Sequence, residues 1–337
     1  MNSITYLTTS FAPKGPTRQL SYMASGFAEE GWDVQLVSLR RARKGDFSHL
    51  FKSLSRVYGI ICAVGRLRGS KVVHSSGILP DLICCVFVPK SAWVSTVRNA
   101  LNEDYEPKFG TIKGRALSFL HKSILQRCCN VVFCSQELKE KIGVHGIKGR
   151  VVENASIDPP TNSREFSKQL VFCGSLIERK NIKLMCQFVG QTEFRNLTFN
   201  VFGTGKEVNQ FATLGVNMWG FESDLNRIYD QPKIFISLSK SEGLPNSVLE
   251  AIAFRCILVL SNIPVHVEIA QRFPDLCILL DLEYPDFGSV EQEVEAKIAA
   301  YGSVDFGRIS ETYSSSYGQK RLIDELKVVY GSQQRAF

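Results

Sequence analysis

The sequence predicts an α/β protein with two halves, each built on a parallel sheet. Short apolar runs alternate with stretches of helical periodicity, which is typical of parallel strands joined by crossover helices. The alternation stops in the Pro-rich segment 153–160 and then restarts. The 337 residues are enough chain for two domains. We therefore expect an N-terminal domain over residues 1–160, a C-terminal domain over 161–312 and a C-terminal helix over 313–337 that packs back toward the first domain.

The first half is expected to begin with a strand over residues 4–8, followed by a Pro/Gly turn and a helix over 17–30. Apolar residues recur in that helix at positions i, i+3, i+4 and i+7, namely Leu20, Met23, Ala24 and Phe27. Gly31 should end the helix. Further strands are expected over residues 33–39, 72–74, 93–97 and 130–134.

The second half repeats the same alternation. The expected strands cover residues 169–173, 197–202, 233–238, 257–260 and 278–280. The expected helices cover residues 181–188, 247–254, 290–301 and 317–330. In an arrangement of two such halves, a cleft between them is the expected place for a ligand.

Composition excludes several classes of protein. With 44% hydrophobic and 22% charged residues, the chain is neither disordered, collagen-like nor a small disulfide scaffold. No apolar stretch approaches the ~18 residues of a membrane helix, and the first fifteen residues do not resemble a signal peptide. We therefore expect a cytoplasmic protein. The ten cysteines form no C-x-x-C pair and should be buried free thiols rather than metal ligands.

Positive charge is concentrated in the first half. Residues 1–160 contain 22 Lys and Arg against 12 Asp and Glu, a net charge of +10, whereas residues 161–337 have a net charge of −3. Such an excess suits nucleic acid, acidic lipid or a phosphorylated acceptor, or is simply a solvated basic face. Within it, residues 40–58 mix cations with apolar positions, as an interfacial membrane helix does. A packed helix beside a solvated basic loop is the alternative.

The segment from Ser241 to Ala253 is the most informative part of the chain. After the expected strand 233–238, the sequence Gly243-Leu244-Pro245 makes a turn, and a helix should start near Asn246 or Ser247. The first-turn amides of that helix are donors without intrahelical partners, and the helix dipole strengthens them. Such a helix end can bind phosphate or the hydroxyl oxygens of a sugar.

Two carboxylates flank this turn. Glu242 precedes it and Glu250 is expected in the first turn of the helix, so both can converge on one ligand. A carboxylate accepts hydroxyl hydrogens and therefore suits the vicinal diols of sugars. Glu250 has a structural alternative, since Ser247-Val-Leu-Glu250 matches the S-x-x-E capping box. Glu242 has no such alternative.

A second segment, residues 171–182, joins a strand to a helix through Gly174-Ser175 and the basic pair Arg179-Lys180. The glycine permits close backbone approach. A guanidinium and an ammonium side by side suit a pyrophosphate, the first as a fork and the second as a point charge. The alternative is a solvated basic turn.

Together these segments resemble the family-4 retaining glycosyltransferases of the GT-B fold, in which two Rossmann-like domains face each other across a cleft. The shared signature is a Gly-rich strand end, a basic pair, and two glutamates separated by seven residues, here Glu242 and Glu250. The C-terminal half also matches at residues 202–205, 219–221, 237–242 and 261–264. The N-terminal half matches at residues 14–17, 95–99, 103–105 and 154–158.

The resemblance implies a role for each matching residue. Glu250 should hold the nucleotide ribose and Glu242 the transferred sugar, while Arg179 and Lys180 should neutralise the departing diphosphate. The implied catalytic residues are thus Glu242, Arg179 and Lys180. The implied donor-binding residues are Gly15, Gly174, Ser175, Arg179, Lys180, Glu242, Gly243, Leu244, Pro245, Asn246, Ser247 and Glu250. Acceptor-binding residues are expected at Arg98, Asn99, Glu103 and Asp104.

The activity implied by the resemblance is transfer of a sugar, with retention, from a nucleotide-diphosphate sugar to a glycan or lipid-linked acceptor. No cofactor and no metal are expected, since no D-x-D motif is present, and nucleic acid is not an expected partner. Peripheral contact with the anionic inner face of the cytoplasmic membrane is expected. An epimerase or phosphorylase on the same fold, and an inactive sugar-nucleotide-binding scaffold, are the alternatives.

Three weaker signals have two interpretations each. Gly203-Thr-Gly205 follows a strand, as in a dinucleotide-binding loop, but Val208 replaces the third glycine. His74, at a strand end, either faces the cleft or is a hydrogen-bonded structural histidine. The stretch Glu103-Asp104-Tyr105 either helps to bind the acceptor or is a plain polar loop.

Overall fold

The structure is a computed structural model that describes residues 2–12, 14–41, 46, 51, 54–67, 69–160 and 165–331, without the side chains of residues 61–63. The chain divides into two compact units. Unit 1 contains Met1–Ala155 and Tyr317–Phe337, and unit 2 contains Ser156–Ser316. Within the ranges just given, no helix is long and apolar enough to cross a membrane.

Unit 1 is built on a seven-stranded parallel sheet in the order β3-β2-β1-β4-β5-β6-β7. Its strands are β1 (Ser3–Thr8), β2 (Asp33–Ser38), β3 (Ser55–Tyr58), β4 (Val72–Ser76), β5 (Trp93–Val97), β6 (Asn130–Phe133) and β7 (Gly149–Val151). Its first six helices are α1 (Gly15–Glu29), α2 (Ile60–Leu67), α3 (Ile78–Phe87), α4 (Leu101–Phe109), α5 (Thr111–Leu125) and α6 (Gln136–Gly143).

Unit 2 is built on a six-stranded parallel sheet in the order β10-β9-β8-β11-β12-β13. Its strands are β8 (Leu170–Cys173), β9 (Phe199–Phe202), β10 (Val216–Gly220), β11 (Ile234–Ser237), β12 (Ile257–Ser261) and β13 (Cys277–Leu280). Its helices are α7 (Ile182–Gln191), α8 (Leu225–Ile228), α9 (Asn246–Ala253), α10 (Pro264–Arg272), α11 (Phe287–Ala300) and α12 (Phe306–Tyr317). The final helix, α13 (Gln319–Gly331), returns to unit 1.

Each sheet is covered by helices, and its central strands are buried on both faces, as expected for parallel sheets. In unit 2, every residue of β11 and β12 is buried. Both sheets have the strand order of a doubly wound fold, with a switch point between β1 and β4 and another between β8 and β11. Two Rossmann-like domains are therefore confirmed.

Helix α13 completes the core of unit 1. Its residues Leu322 and Ile323 are buried with Phe27 of α1 in one cluster. At Gly26 of α1, an added Cβ would lie 2.6 Å from Cγ1 of Ile323, so glycine allows the two helices to approach closely.

The helix expected within residues 40–58 is wrong for the last four residues of that stretch. Ser55–Tyr58 is the edge strand β3, parallel to β2, and Phe51 is buried against Phe11. Residues 42–45, 47–50 and 52–53 lie outside the described residues. An edge strand needs only four residues and one neighbour, which gives it a weak sequence signal.

Candidate functional site

The basic pair and the first glutamate follow two neighbouring strands of unit 2. Arg179 and Lys180 come after β8, in a short 3-10 helix from Glu178 to Lys180, and Glu242 comes after β11. Because β8 and β11 are adjacent and parallel, their carboxyl ends meet at the switch point of the sheet. The amide of Lys240 donates to the carbonyl oxygen of Arg179 at 2.8 Å and so joins the two loops directly.

The two glycines of Gly203-Thr-Gly205 bring a third loop against this place. The amide of Gly174 donates to the carbonyl oxygen of Phe202, and the amide of Leu176 donates to that of Thr204, both at 2.9 Å. A Cβ at Gly203 would overlap the carbonyl oxygen of Gly174, and one at Gly205 would overlap that of Leu176. These glycines therefore serve backbone packing, and the dinucleotide interpretation has no support from their contacts.

Three charged side chains form an ion cluster at the switch point, consisting of Arg179, Lys180 and Glu242. Arg179 Nη1 lies 2.6 Å from Glu242 Oε2, and Lys180 Nζ lies 2.6 Å from Glu242 Oε1. The hydroxyl of Ser239 also donates to Glu242 Oε1, at 2.8 Å. Both carboxylate oxygens are thus engaged. The interpretation of 179–180 as a solvated basic turn is wrong, since the side chain of Lys180 is only 9% exposed.

The electrostatics of the cluster keep Glu242 ionised. Burial alone would raise the pKa of this carboxyl group, but the adjacent charges of Lys180 and Arg179 outweigh it and lower the pKa to about 2. The cluster therefore carries two positive charges and one negative charge, a net charge of +1. Arg179, with 25% of its side chain exposed, is its most accessible member.

Gly174 lies directly beside Lys180 of the cluster, at a distance that would leave an added Cβ in ordinary van der Waals contact with the lysine. A Cβ at this position would lie 3.5 Å from Cε and 3.7 Å from Nζ of Lys180, so the ammonium stem passes directly over the glycine. Ser175, the next residue, is exposed. The close approach expected at Gly174 is thus made, in this structure, by a side chain of the protein itself.

Helix α9 differs in detail from its expected form. It begins at Asn246 with Pro245 as its N-cap, which makes no side-chain capping bond. Glu250 is therefore the fifth helical residue rather than a member of the first turn, and it is buried. A capping box needs Ser247 at the N-cap, so that interpretation of Glu250 is wrong. Gly243 and Leu244 are also buried.

His266 is a residue of this region that the sequence did not single out. It lies in the first turn of α10 and is fully buried. Its Nδ1 lies 3.0 Å from Oγ and 3.1 Å from the carbonyl oxygen of Ser261, whose hydroxyl donates to Ser239. Burial lowers the pKa of His266 to about 4; Glu242 raises it in part and Lys180 lowers it further. The only sequence signal was its position just after the 261–264 segment.

The other predicted residues lie in unit 1. Arg98 follows β5, and its Nη1 donates to Oδ1 of Asn154 at 2.8 Å; burial lowers the pKa of Arg98 to about 10. Asn99, next in the chain, is half-buried at a bend. Gly15 is the first residue of α1 rather than a loop residue, and it is exposed.

Two of the weaker interpretations are decided by contacts. His74 is a hydrogen-bonded structural histidine, with Nδ1 2.7 Å from the hydroxyl of Tyr330 and Nε2 2.5 Å from that of Thr96. Of the two interpretations of 103–105, the plain polar loop is wrong, because these residues belong to helix α4. There Glu103 pairs with Lys141, Asp104 pairs with Lys108, and Tyr105 is buried.

The structure also bears on metals and thiols. Over the described ranges of both units, no three or more His, Cys, Asp or Glu side chains are grouped so that they could hold a metal ion. The nine cysteines whose side chains are described are free, and five of them are buried. Cys129 is exposed, contrary to the expectation of a buried thiol.

Comparison with known proteins identifies the domain that carries the ion cluster. Residues 167–278 match the family model described as Glycosyl transferases group 1. The chain is 24% identical over 244 residues to the O-antigen biosynthesis glycosyltransferase WclY of Escherichia coli, an alignment that covers 65% of this chain and 68% of that protein.

Solved structures share the fold at lower identity. Sucrose-phosphate synthase from Thermosynechococcus elongatus is 12% identical, with a TM-score of 0.75, and the match covers 100% of both chains. Anabaena Alr3699/HepE in complex with UDP-glucose is also 12% identical, with a TM-score of 0.75 over 98% of this chain and 100% of that one. The chain thus contains a glycosyl transferases group 1 domain, its two units have the parallel-sheet architecture of GT-B glycosyltransferases, and it is a transferase enzyme.

Proposed function

We propose that this chain transfers a sugar, with retention at the anomeric carbon, from a nucleoside diphosphate sugar to a hydroxyl of a glycan or lipid-linked oligosaccharide in cell-surface polysaccharide biosynthesis. The observation that carries the proposal is the ion cluster of Arg179, Lys180 and Glu242 at the switch point of unit 2. One sequence relative and one structural neighbour support it. The E. coli relative is named for O-antigen biosynthesis, and the Anabaena structure contains UDP-glucose.

The charge of the cluster suits a diphosphate. Its net charge of +1 attracts an anion, and Arg179 is accessible enough to meet one. Since both cations already contact Glu242, an arriving diphosphate competes with that carboxylate for them. Glu242 is then able to accept hydrogens from the hydroxyls of the transferred sugar, and Glu250 those of the ribose.

Bond breaking needs charge stabilisation rather than a nucleophile from the protein. The bond between the anomeric carbon and the diphosphate oxygen breaks, and the electron pair leaves with the diphosphate. Arg179, Lys180 and the N-terminus of α9 near Ser247 stabilise that developing charge, so we propose that transfer requires no metal. The acceptor hydroxyl adds to the same face and passes its proton to the departing phosphate oxygen beside it.

The remaining predicted residues and partners stay predictions. Gly15 is assigned to donor binding, and Arg98, Asn99, Glu103 and Asp104 are assigned to the acceptor. We also propose that the protein works in the cytoplasm, in peripheral contact with the anionic inner face of the membrane that carries the lipid-linked acceptor.

Donor binding can be tested with a panel of nucleoside diphosphate sugars in a thermal-shift experiment. A donor present at 100 times its Kd should stabilise the protein by about 2.7 kcal/mol. Arg179→Gln should weaken donor binding about ten- to hundredfold, because a charged hydrogen bond is lost. Lys240→Gln is the matched control, since that exposed cation pairs with Glu178 outside the cluster.

Turnover separates the proposed function from its alternatives. With donor and acceptor present, wild-type protein should release nucleoside diphosphate, and Glu242→Gln should abolish release while keeping the fold. Epimerised donor in the absence of acceptor would instead indicate an epimerase. Tight donor binding without turnover on any acceptor would indicate an inactive scaffold.

A further inference from the structure

Helix α5 of unit 1 exposes large apolar side chains on its outer face. Ile112 is 86% exposed, Phe119 is 74% exposed and Leu120 is exposed as well. Positions i, i+7 and i+8 recur on one side of a helix, so these three side chains form one stripe. A stripe of three large, exposed apolar side chains is unusual for a helix of a globular domain.

Helix α3, which packs against α5, carries a second exposed stripe. Leu79, Leu82 and Val86 are exposed and follow one another at intervals of three and four residues. Phe87 is exposed beside them. The stripes on α3 and α5 together are called the apolar face.

Each of the two helices also buries one titratable side chain against the other helix. Asp81 of α3 and His121 of α5 are buried, and Nε2 of His121 lies 2.7 Å from Oδ2 of Asp81. The other oxygen of Asp81 accepts hydrogen bonds from the hydroxyls of Ser75 and Ser95. Breaking a buried pair of this kind is costly, so it fixes the rotation of both helices and keeps the apolar face outward.

The charges that helix α5 itself places beside the apolar face are positive. Helix α5 contains Lys113, Arg115 and Lys122 and no acidic residue. Arg115 lies 3.3 Å from Glu106 and remains exposed, and Lys122 hydrogen-bonds to His145. Cations that flank an apolar stripe can reach anionic headgroups while the stripe enters the bilayer interface.

A second copy of the chain fits this face less well. A twofold interface would bring the same face of both copies together, so that the three cations of α5 would be present twice in it, with no acidic residue on α5 to balance them. An anionic bilayer supplies both the apolar interior and the negative headgroups. The net charge of +10 in residues 1–160 points the same way.

We propose that the apolar face of α3 and α5 is the surface by which unit 1 binds a membrane rich in anionic lipid. This surface is a different part of the chain from residues 40–58. It rests on the proposed function only in that a lipid-linked acceptor gives the protein a reason to bind a membrane. Ile112 and Phe119 enter the interface, and Lys113 and Arg115 contact headgroups.

The test is co-sedimentation of the full chain with vesicles of phosphatidylglycerol, or of phosphatidylcholine alone, at low salt. Wild type should bind the phosphatidylglycerol vesicles, and the double variant Ile112→Ser/Phe119→Ser should bind them at least about tenfold more weakly. The matched control Val208→Ser/Tyr284→Ser removes two exposed hydrophobic side chains of unit 2 and should bind as wild type does. Circular dichroism and melting curves confirm that all variants are folded.

Several results would overturn the proposal: no binding of wild type to anionic vesicles, equal binding of the double variant, or vesicle-free self-association that the double variant abolishes. Turnover on a soluble acceptor without vesicles keeps the two proposals apart. Wild type and the double variant should then be equally active if only the membrane surface is altered. Absence of turnover in both would count against the proposed function and leave the vesicle result standing.

Discussion

Glu242 is the residue on which the ion cluster depends. A buried cation without a counter-ion is costly, and Lys180 is more deeply buried than Arg179. Loss of Glu242 therefore leaves an uncompensated buried ammonium, whereas loss of Arg179 leaves Glu242 still paired with Lys180. The sequence singled out all three side chains by type and spacing. It could not show that they contact one another, because that contact requires the adjacency of two strands more than sixty residues apart.

The low pKa of Glu242 makes stability depend on pH. Its pKa falls from an ordinary 4.5 to about 2, so the folded state holds this proton less tightly than the unfolded state. The stabilisation is complete above about pH 5 and is lost as the pH falls toward 2. The free energy of unfolding, measured with urea at pH 7 and at pH 3, should fall less between the two for Glu242→Gln than for wild type, because the glutamine side chain does not titrate.

Two histidines also lower the stability of the fold at acid pH, so the comparison needs a control. Burial lowers the pKa of His266 to about 4 and that of His74 to about 3, so both also destabilise the fold as acid protonates them. The contribution of His74 remains in Glu242→Gln and cancels in the comparison. That of His266 increases in the variant, because Glu242 no longer raises its pKa, and it therefore reduces the expected difference. Glu178→Gln removes an exposed carboxylate and should keep the wild-type profile. Identical profiles for wild type and Glu242→Gln would contradict the assigned cause.

Asp81 gives a second residue-scale prediction, in unit 1. Its carboxylate accepts from Ser75, Ser95 and His121, and an amide at this position cannot accept at both atoms. Asp81→Asn should therefore lower the free energy of unfolding by about 3 kcal/mol, as measured by urea titration. Asp104→Asn breaks only the exposed pair with Lys108 and should cost well under 1 kcal/mol. Equal costs would contradict the role assigned to the buried network.

At the scale of elements, the sequence predicted the central strands well and the edges poorly. The strand expected over residues 93–97 is β5 with the same bounds. All five of its residues are buried, and its apolar residues Trp93, Val94 and Val97 gave the signal in the sequence. Ser55–Tyr58 escaped detection because an edge strand is short and partly exposed. Helix α4 escaped because Pro107 lies inside it, and proline there usually signals a break.

Gly203 and Gly205 show that a motif can be recognised in a sequence while its structural role is misassigned. Their spacing suggested a ligand loop, but the structure uses them to pack one backbone against another. That contact joins the loops after β8 and β9, and no local pattern in the sequence reports it. The consequence is that the conformation of the Gly174 loop, and with it the place of Lys180, depends on a loop about thirty residues away.

Gly203→Ala tests this dependence. The new Cβ would overlap the carbonyl oxygen of Gly174, so the two loops must separate, and we expect a loss of about 2 kcal/mol in stability together with weaker donor binding. Gly215→Ala is the control, because a Cβ there has no described atom within 4 Å. Thermal melts with and without a nucleoside diphosphate sugar measure both effects. Normal donor binding in folded Gly203→Ala would contradict the coupling.

At the scale of the whole molecule, the chain leaves unit 1 after Ala155 and returns to it at Tyr317. The returning helix α13 contributes side chains to the core of unit 1, and the hydroxyl of Tyr330 lies 2.7 Å from Nδ1 of His74. The ring of Tyr330 also packs against the ring of Phe27, with 5.2 Å between the two ring centroids. Unit 1 is therefore assembled from both ends of the chain, although its sheet is complete by residue 151.

Removal of residues 317–337 should consequently unfold unit 1 and leave unit 2 folded. The deletion takes five large side chains out of the core of unit 1, namely Leu322, Ile323, Leu326, Val329 and Tyr330. Each contributes about 1.5–3 kcal/mol when buried, so their sum is comparable to the whole stability of a domain. The core cluster of unit 2, over its described residues, includes no residue beyond Tyr301.

Hydrogen exchange should then show that, in the deletion variant, the amides of β1 are unprotected and those of β8 are protected. The control is Tyr330→Phe, which removes one hydroxyl and should lower the protection free energy in unit 1 by only about 1 kcal/mol. Protection retained in β1 after the deletion would mean that the sheet of unit 1 is stable without its C-terminal helix.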